Sequence, residues 1–417
     1  MCRIHPGNGL RDTWYRDALF PNARWLRVPN PIFFCLEGGT WNRICVRPDK
    51  ASRAAEGPTG AGSASRDTSI TEDALRAEPS VPPEQFFSLV DSGMRGLIGI
   101  SVIRAGITTG IFRELEHSSS ISGLSETLGI SGELLVPLCN LLCTMGLLRE
   151  EDGLYRNSGL ASTYLFDGSP YSQVSYLEKT SRMVEDLWEH LPEVLREGPV
   201  SYTREDFFDR LILPSMAENA LTGRLQRTVR AISRLPGFSS FRRMIDLGGG
   251  HGLYAIALAG LNPGLEAIVF DLPRVIPLAD KYIRRYNAAR VRTVAGDFFR
   301  DDIGGGYDLI FSSSNPSGKS IELLDKITTA LNPGGYFVNV QSDDEGERDP
   351  YSALEWQLWT IGHRSKKKSA FTKEQPFLTP AYRKALASHG LSVISEQKVR
   401  DDYHPRATVT MIIARRD

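Results

Sequence analysis

The chain has 417 residues, enough for two or three ordinary domains, and its 41% of hydrophobic residues is enough to give each a core. Its 49 Lys and Arg against 50 Asp and Glu leave a net charge of −1, without the basic excess that marks nucleic-acid or membrane-surface proteins. No apolar run approaches the roughly 20 residues that span a bilayer. The N-terminus has neither the charged nor the apolar segment of a secretory leader. The five cysteines (Cys2, Cys35, Cys45, Cys139, Cys143) form no CxxC pair, and no His, Cys, Asp or Glu cluster has metal-ligand spacing. The expectation is a cytoplasmic, reduced protein with no metal, membrane or nucleic-acid partner.

Along the chain, residues 1–80 read as a poorly ordered extension. Trp14, Trp25 and Trp41 lie there without a helical or alternating period, and Ala51–Ser65 is rich in Ala, Gly and Ser. Residues 81–165 show three helical patterns. The first covers 84–116, the second runs from Ser120 to a glycine stop at Gly129, and the third is capped by Ser131 and reaches about Leu148. An Asp152-Gly153 turn follows between two short extended runs, and three helices before a hairpin is the winged-helix order. The third helix, Gly132–Gly146, carries no Lys or Arg. That argues against a groove-reading role and for burial of Leu134, Leu135, Leu138, Leu141 and Leu142. Cys139 and Cys143 read as buried small hydrophobes. Residues 166–240 read as a helical connector with breaks at Pro192 and Pro199. From 241 to 417 strand patterns alternate with helices, which predicts an α/β domain with a doubly wound parallel sheet. Its strands are expected at 244–247, 267–270, 291–295, 307–311 and 336–340.

Four signals punctuate that alternation. Asp246-Leu247-Gly248-Gly249-Gly250-His251-Gly252 follows a strand and opens a helix, where glycines let the backbone approach a ligand and the helix dipole favours an anion. The loop alone suits either a pyrophosphate or the amino-acid part of S-adenosylmethionine. Val269-Phe270-Asp271-Leu272-Pro273 ends the next strand on an acid placed to accept ribose hydroxyls. Gly296-Asp297-Phe298-Phe299 offers an acid and a ring to an adenine. Leu331-Asn332-Pro333-Gly334-Gly335 is a turn feeding a late strand.

In these motifs, over residues 84–415, the chain resembles the plant-type S-adenosylmethionine-dependent O-methyltransferases and their microbial relatives. The resemblance implies a Rossmann-like class I methyltransferase domain behind a mostly helical winged-helix domain through which the protein forms a homodimer. It implies S-adenosylmethionine as cofactor and a small-molecule acceptor: aromatic, polyketide-like or tetrapyrrole-like. Asp246, Gly248, Gly250 and His251 would hold the methionine part, Asp271 and Leu272 the ribose, and Asp297 and Phe298 the adenine. Ser312 or Ser313 would line the cofactor and face the acceptor. Trp188, Met216, Trp356, Trp359 and His363 would form the acceptor pocket.

One departure stands out. Plant-type members carry a His-Asp pair after the fourth strand, the histidine acting as general base. Here the segment reads Phe311-Ser312-Ser313-Ser314-Asn315-Pro316-Ser317-Gly318-Lys319-Ser320, without a histidine and with a shorter loop that would leave room where the base stands. Either another residue serves as base, with His363 the first choice over His404 and His190, or the acceptor needs no base, or the protein binds cofactor without transferring a methyl group, as a scaffold or sensor. A winged-helix DNA-binding regulator is the reading from a third class.

Overall fold

The computed structural model describes residues 24–27, 32–37, 40–45, 72–318, 320–343, 350–362, 380–400 and 408–417. The chain divides into two compact units, Met1–Val81 and Pro82–Asp417. In the first, strands β1 (Arg24–Arg27), β2 (Ile32–Glu37) and β3 (Thr40–Cys45) form an antiparallel meander. The sequence showed no period there, because strands of four to six residues are too short to display one.

The second unit opens with helix Glu84–Thr108, then Ile121–Leu128 and Gly132–Thr144. The Ser120 hydroxyl caps the second by accepting from the Gly123 N–H, and Gly129 ends it in the left-handed region at φ 66°. Ser131 stands at the next helix start without a side-chain cap, its carbonyl accepting from Leu134 and Leu135 instead. Strands β4 (Leu148–Glu151) and β5 (Leu154–Asn157) pair antiparallel around Asp152 and Gly153, both at positive φ. Leu135, Cys139 and Leu142 are sealed in the core of this region with Ile111, Phe112 and Leu124. Burial pushes the Cys139 thiol up to about 11, which keeps it an inert hydrophobe. Leu134, in contrast, is 67% exposed. Helix Glu84–Thr108 departs from expectation: by length and composition it could cross a membrane, and it is exposed along most of its length. Asp91 and Arg95 interrupt its apolar runs without making it polar on average.

The connector is helical from Val174 to Ile232, interrupted by β6 (Val200–Tyr202) and containing two π-helical stretches, Val184–Trp188 and Arg204–Ile212. The helical run breaks at Glu189 and His190, just ahead of Pro192, which stands in the first turn of the next helix, Leu191–Glu197, where its missing N–H costs nothing.

Seven strands then form one sheet in the order β13-β14-β11-β10-β7-β8-β9. They are β7 (Arg243–Leu247), β8 (Glu266–Asp271), β9 (Val291–Ala295), β10 (Tyr307–Ser313), β11 (Leu331–Asp343), β13 (Leu391–Arg400) and β14 (Thr408–Arg416). Strand β12 (Trp359–Ile361) lies outside the sheet, paired with β6. The first five are mutually parallel and β14 is antiparallel to both neighbours. Strand alternation sends Met244, Val269, Leu309, Phe311 and Val338 to one apolar layer and Ile245, Ile268, Phe270, Ile310 and Phe337 to the other.

Ile310 is fully buried at the centre of this sheet. Ile310→Ala should therefore lower stability by about 2–5 kcal/mol in urea unfolding with an unchanged slope. A loss below about 1 kcal/mol would mean the layer repacks around the gap.

Candidate active site

Strands β7 and β10 are sheet neighbours, yet the chain leaves β7 towards β8 on one side and β10 towards β11 on the other. That reversal opens a crevice at the carboxyl ends of the strands, where doubly wound sheets bind ligands. The glycine loop lies there, between β7 and helix Leu253–Leu261. Gly248, Gly250 and Gly252 have φ of 63°, 55° and 70°, a region L side chains avoid. A Cβ on Gly249 would come within 2.8 Å of the Asp246 carboxyl carbon. The backbone is thus pressed onto its supports, with no side chain between it and a ligand.

Asp271 ends β8 and fastens this loop. Its Oδ2 accepts from the Gly250 N–H at 2.8 Å and its Oδ1 from the Leu272 N–H at 2.7 Å, leaving lone pairs on both oxygens for a diol. Burial raises its pKa, and these two N–H bonds oppose the rise. Asp246 is 1% exposed, and its Oδ2 has no hydrogen-bond partner among the described residues. Burial, then the neighbouring Asp271 charge, push it up to about 8. His251 is also buried. Its Nδ1 accepts from the Leu253 N–H at 3.1 Å, and its ring stacks on Tyr254 at 6.0 Å. Burial, followed by the Arg224 charge, brings its pKa down to about 3. The ring is thus a neutral strut within the loop and too weak a base for work near neutrality.

After β9, the Asp297 Oδ1 accepts from the Phe299 N–H at 2.9 Å, which shapes its own turn. The Phe298 ring is half-buried against the layer of Ile245 and Phe270. The loop after β10 is filled, contrary to the room expected there. Asn315 Nδ2 donates to the carbonyls of Leu247 at 2.7 Å, Ser313 at 3.1 Å and Gly248 at 3.4 Å. Asn315 Oδ1 accepts from the Ser317 N–H at 2.9 Å and the Ser312 hydroxyl at 3.2 Å. Ser312 and Ser317 are fully buried, with hydroxyls 2.8 Å apart. Ser312 therefore braces the loop, and Ser313 is the half-exposed one of the pair. Behind them Asn339 donates to the Gly318 carbonyl and to the Tyr382 hydroxyl. A short loop closes because the Asn315 amide bonds its backbone from within and the two serine hydroxyls bond that amide and each other.

Of the expected acceptor-pocket residues, the three tryptophans come together. Trp188 and Trp359 pack on a cluster of Met183, Leu187, Phe207 and Leu358. Trp356 meets Trp359 edge-on at 5.4 Å. Met216 is half-buried on helix Leu213–Ala220. His190 is exposed, its Nδ1 2.8 Å from the Glu185 carbonyl. His363, His404 and Lys366-Lys367-Lys368 lie outside the described residues. Sequence reasoning missed Asn315, Tyr254 and Arg224. Tyr254 is buried beside the Phe311 ring at 4.9 Å, and the Arg224 charge reaches both Tyr254 and His251. An amide just after a strand end was the one available signal for Asn315.

Comparison with known proteins gives this geometry its class. A family model described as an O-methyltransferase domain matches residues 199–368. An uncharacterised protein of Methanocaldococcus jannaschii is 31% identical over 328 residues, 77% of this chain and 88% of that one. Acetylserotonin O-methyltransferase of Bos taurus is 30% identical over 294 residues, 65% of this chain and 85% of that enzyme. Among solved structures, human N-acetylserotonin methyltransferase in complex with S-adenosylmethionine has a TM-score of 0.59 at 24% identity, covering 82% of this chain and 99% of that one. The chain belongs to the S-adenosylmethionine-dependent O-methyltransferase family, whose acceptors are small molecules. The residues present fit that cofactor: a side-chain-free glycine cradle, a carboxylate with lone pairs left for a diol, and the unpartnered buried Asp246 oxygen.

Asp271→Ala should weaken S-adenosylhomocysteine binding in calorimetry by roughly 1.5–3 kcal/mol, the range for hydrogen bonds to a charged group. Equal affinity would remove Asp271 from the site. A second expectation concerns pH. The Asp246 carboxyl binds its proton up to about 8 in the folded state, against about 3.9 when unfolded. The folded protein therefore binds more protons over that interval, and stability falls as pH rises through it. Asp246→Asn should flatten the fall in Tm between pH 5 and pH 8 and melt higher than wild type at pH 8, without ligand. Parallel Tm profiles would show that the carboxyl is ionised throughout.

Proposed function

We propose that this protein methylates a small acceptor whose oxygen is already nucleophilic, without the general-base histidine of the plant-type members. The observation that carries the reading is the 312–318 loop, which holds no histidine and is packed with its own hydroxyls and amide. His251 is neutral and has spent its Nδ1 on the backbone. S-adenosylmethionine supplies an electrophilic methyl on a sulfonium. The chain's work is alignment: Gly248 and Gly250 carry the amino-acid end, Asp271 accepts the ribose hydroxyls, and Asp297 with Phe298 flanks the adenine. Holding donor and acceptor in line accounts for much of the acceleration of a displacement. A general base adds typically about 10²–10⁴-fold. An acidic phenol or a carboxylate, on an aromatic, polyketide-like or tetrapyrrole-like acceptor, forgoes that factor at little loss because it arrives ionised.

The test is a comparison of wild type with His363→Ala on a panel of such acceptors. With a self-sufficient acceptor, turnover stays within a few-fold and the pH profile follows the acceptor's own pKa. A fall of roughly 10²-fold, with loss of a pH dependence near about 6.5, would make His363 the base and overturn the reading. Tight cofactor binding with no transfer to any acceptor would support the silent homologue.

We further propose a homodimer formed through residues 84–165. Its support is the run of exposed apolar side chains on helix Glu84–Thr108, among them Phe86, Phe87, Leu89 and Leu97, together with Leu134 and Val136. An apolar face of this extent is ordinarily covered. Obligate interfaces bury on the order of 2,000 Å² or more. Light scattering at micromolar concentration should give twice the chain mass, and a monomer would contradict the proposal.

A further inference from the structure

Three backbone carbonyls converge at the head of the crevice. Leu247 and Gly248 bring theirs from the end of β7, and Ser313 from the end of β10. All three point at one atom, Asn315 Nδ2, at 2.7, 3.4 and 3.1 Å. The amide is pressed so close to Gly248 that a Cβ there would lie 2.9 Å from its Cγ. A neutral primary amide has only two N–H groups for three acceptors, and it brings no charge to a point where three carbonyl dipoles gather. An alkylammonium has three N–H groups and a full positive charge, and charge-assisted bonds are roughly twice as strong as neutral ones.

We propose that Asn315 plugs an ammonium site, and that the α-ammonium of S-adenosylmethionine displaces it. This rests on the cofactor reading above and assigns a specific role to the loop that lacks the histidine. The same side chain holds that loop together through the Ser312 hydroxyl and the Ser317 N–H. Withdrawing Asn315 from the carbonyls therefore disturbs the acceptor-side wall. Cofactor binding and loop conformation are one equilibrium, and the loop takes its acceptor-ready form only after the cofactor is in place.

Two ligands separate this from a scaffolding role. S-adenosylhomocysteine carries the ammonium, whereas 5′-methylthioadenosine shares the adenosine and sulfur but lacks the amino-acid end. In calorimetry, Asn315→Ala should bind S-adenosylhomocysteine about 3- to 10-fold tighter than wild type, the loss of one competing hydrogen-bonded plug. Affinity for 5′-methylthioadenosine should not change. Asn315→Asp keeps the acceptor for Ser312 and Ser317 and removes the donor, so it should tighten S-adenosylhomocysteine alone in the same way even if the alanine variant folds poorly. In wild type, hydrogen exchange at the Ser317 amide should speed up on adding S-adenosylhomocysteine, the reverse of ordinary ligand protection. Unchanged or weaker S-adenosylhomocysteine binding in both variants, or protection of Ser317, would overturn the proposal, as would parallel loss of both ligands. If wild type binds neither ligand, the cofactor reading itself falls. If it binds both and only the variants fail to discriminate, that reading stands and only the plug is lost.

Discussion

The Gly250 N–H donates to the Asp271 carboxylate across the gap between the ends of β7 and β8, at 2.8 Å. The rest of the site depends on that bond. It draws the left-handed glycine turn against the neighbouring strand, so that the loop following β7 and the acid ending β8 share one rigid edge. Burial makes the bond stronger and its loss costlier, because a carboxylate taken from water and left without donors pays its full desolvation penalty. The Leu272 N–H on its other oxygen keeps the acid pointed along the crevice. Residues that would meet a cofactor are thus held by backbone bonds rather than by flexible side chains, which is the preorganisation a binding site needs.

The loop after β10 shows how a polar segment can be sealed without a catalytic group. Ser312, Asn315 and Ser317 satisfy one another and the backbone around them, and Asn339, Gln341 and Tyr382 continue the network inward. Such a network is costly if half-made and rigid when complete. Gly318 belongs to it for a steric reason: a Cβ there would stand 2.0 Å from the Asn339 Oδ1. A histidine in this loop would have to displace that interior, so the missing base and the packed loop are a single feature of the protein. The packed loop supports the proposed chemistry, in which the acceptor supplies its own nucleophile.

The helical region ahead of the sheet has a different balance. Its small core, with Ile111, Phe112, Leu115, Leu135 and Leu142, is fully closed, while helix Glu84–Thr108 leaves most of its apolar residues in water. A domain of this size buries a limited share of its surface by itself. The excess apolar face supports the proposal that a second copy completes it.

Much of this protein is local and therefore legible in its sequence. The five parallel strands between Arg243 and Asp343 follow from strand alternation and glycine-punctuated turns, whereas β12, β13 and β14, the last antiparallel to both its neighbours, lay outside the five strands and the parallel sheet that the sequence predicts. The Asp152-Gly153 hairpin and the Ser120-to-Gly129 helix follow from cap and turn chemistry acting over two to nine residues. The acids at 271 and 297 were legible because a strand end confers their placement whatever surrounds them. Other features arise from residues far apart in the chain, and only the tertiary structure decided them. Asn315 meets the Leu247 carbonyl 68 positions away. His251 became a neutral strut because folding buried it beside Arg224. Trp188 joined Trp359 in a packed cluster because the connector folds back on β12. Pattern and propensity report what a segment can form. Burial, and the partner a polar group finds there, depend on which distant segments pack against it and shut out water.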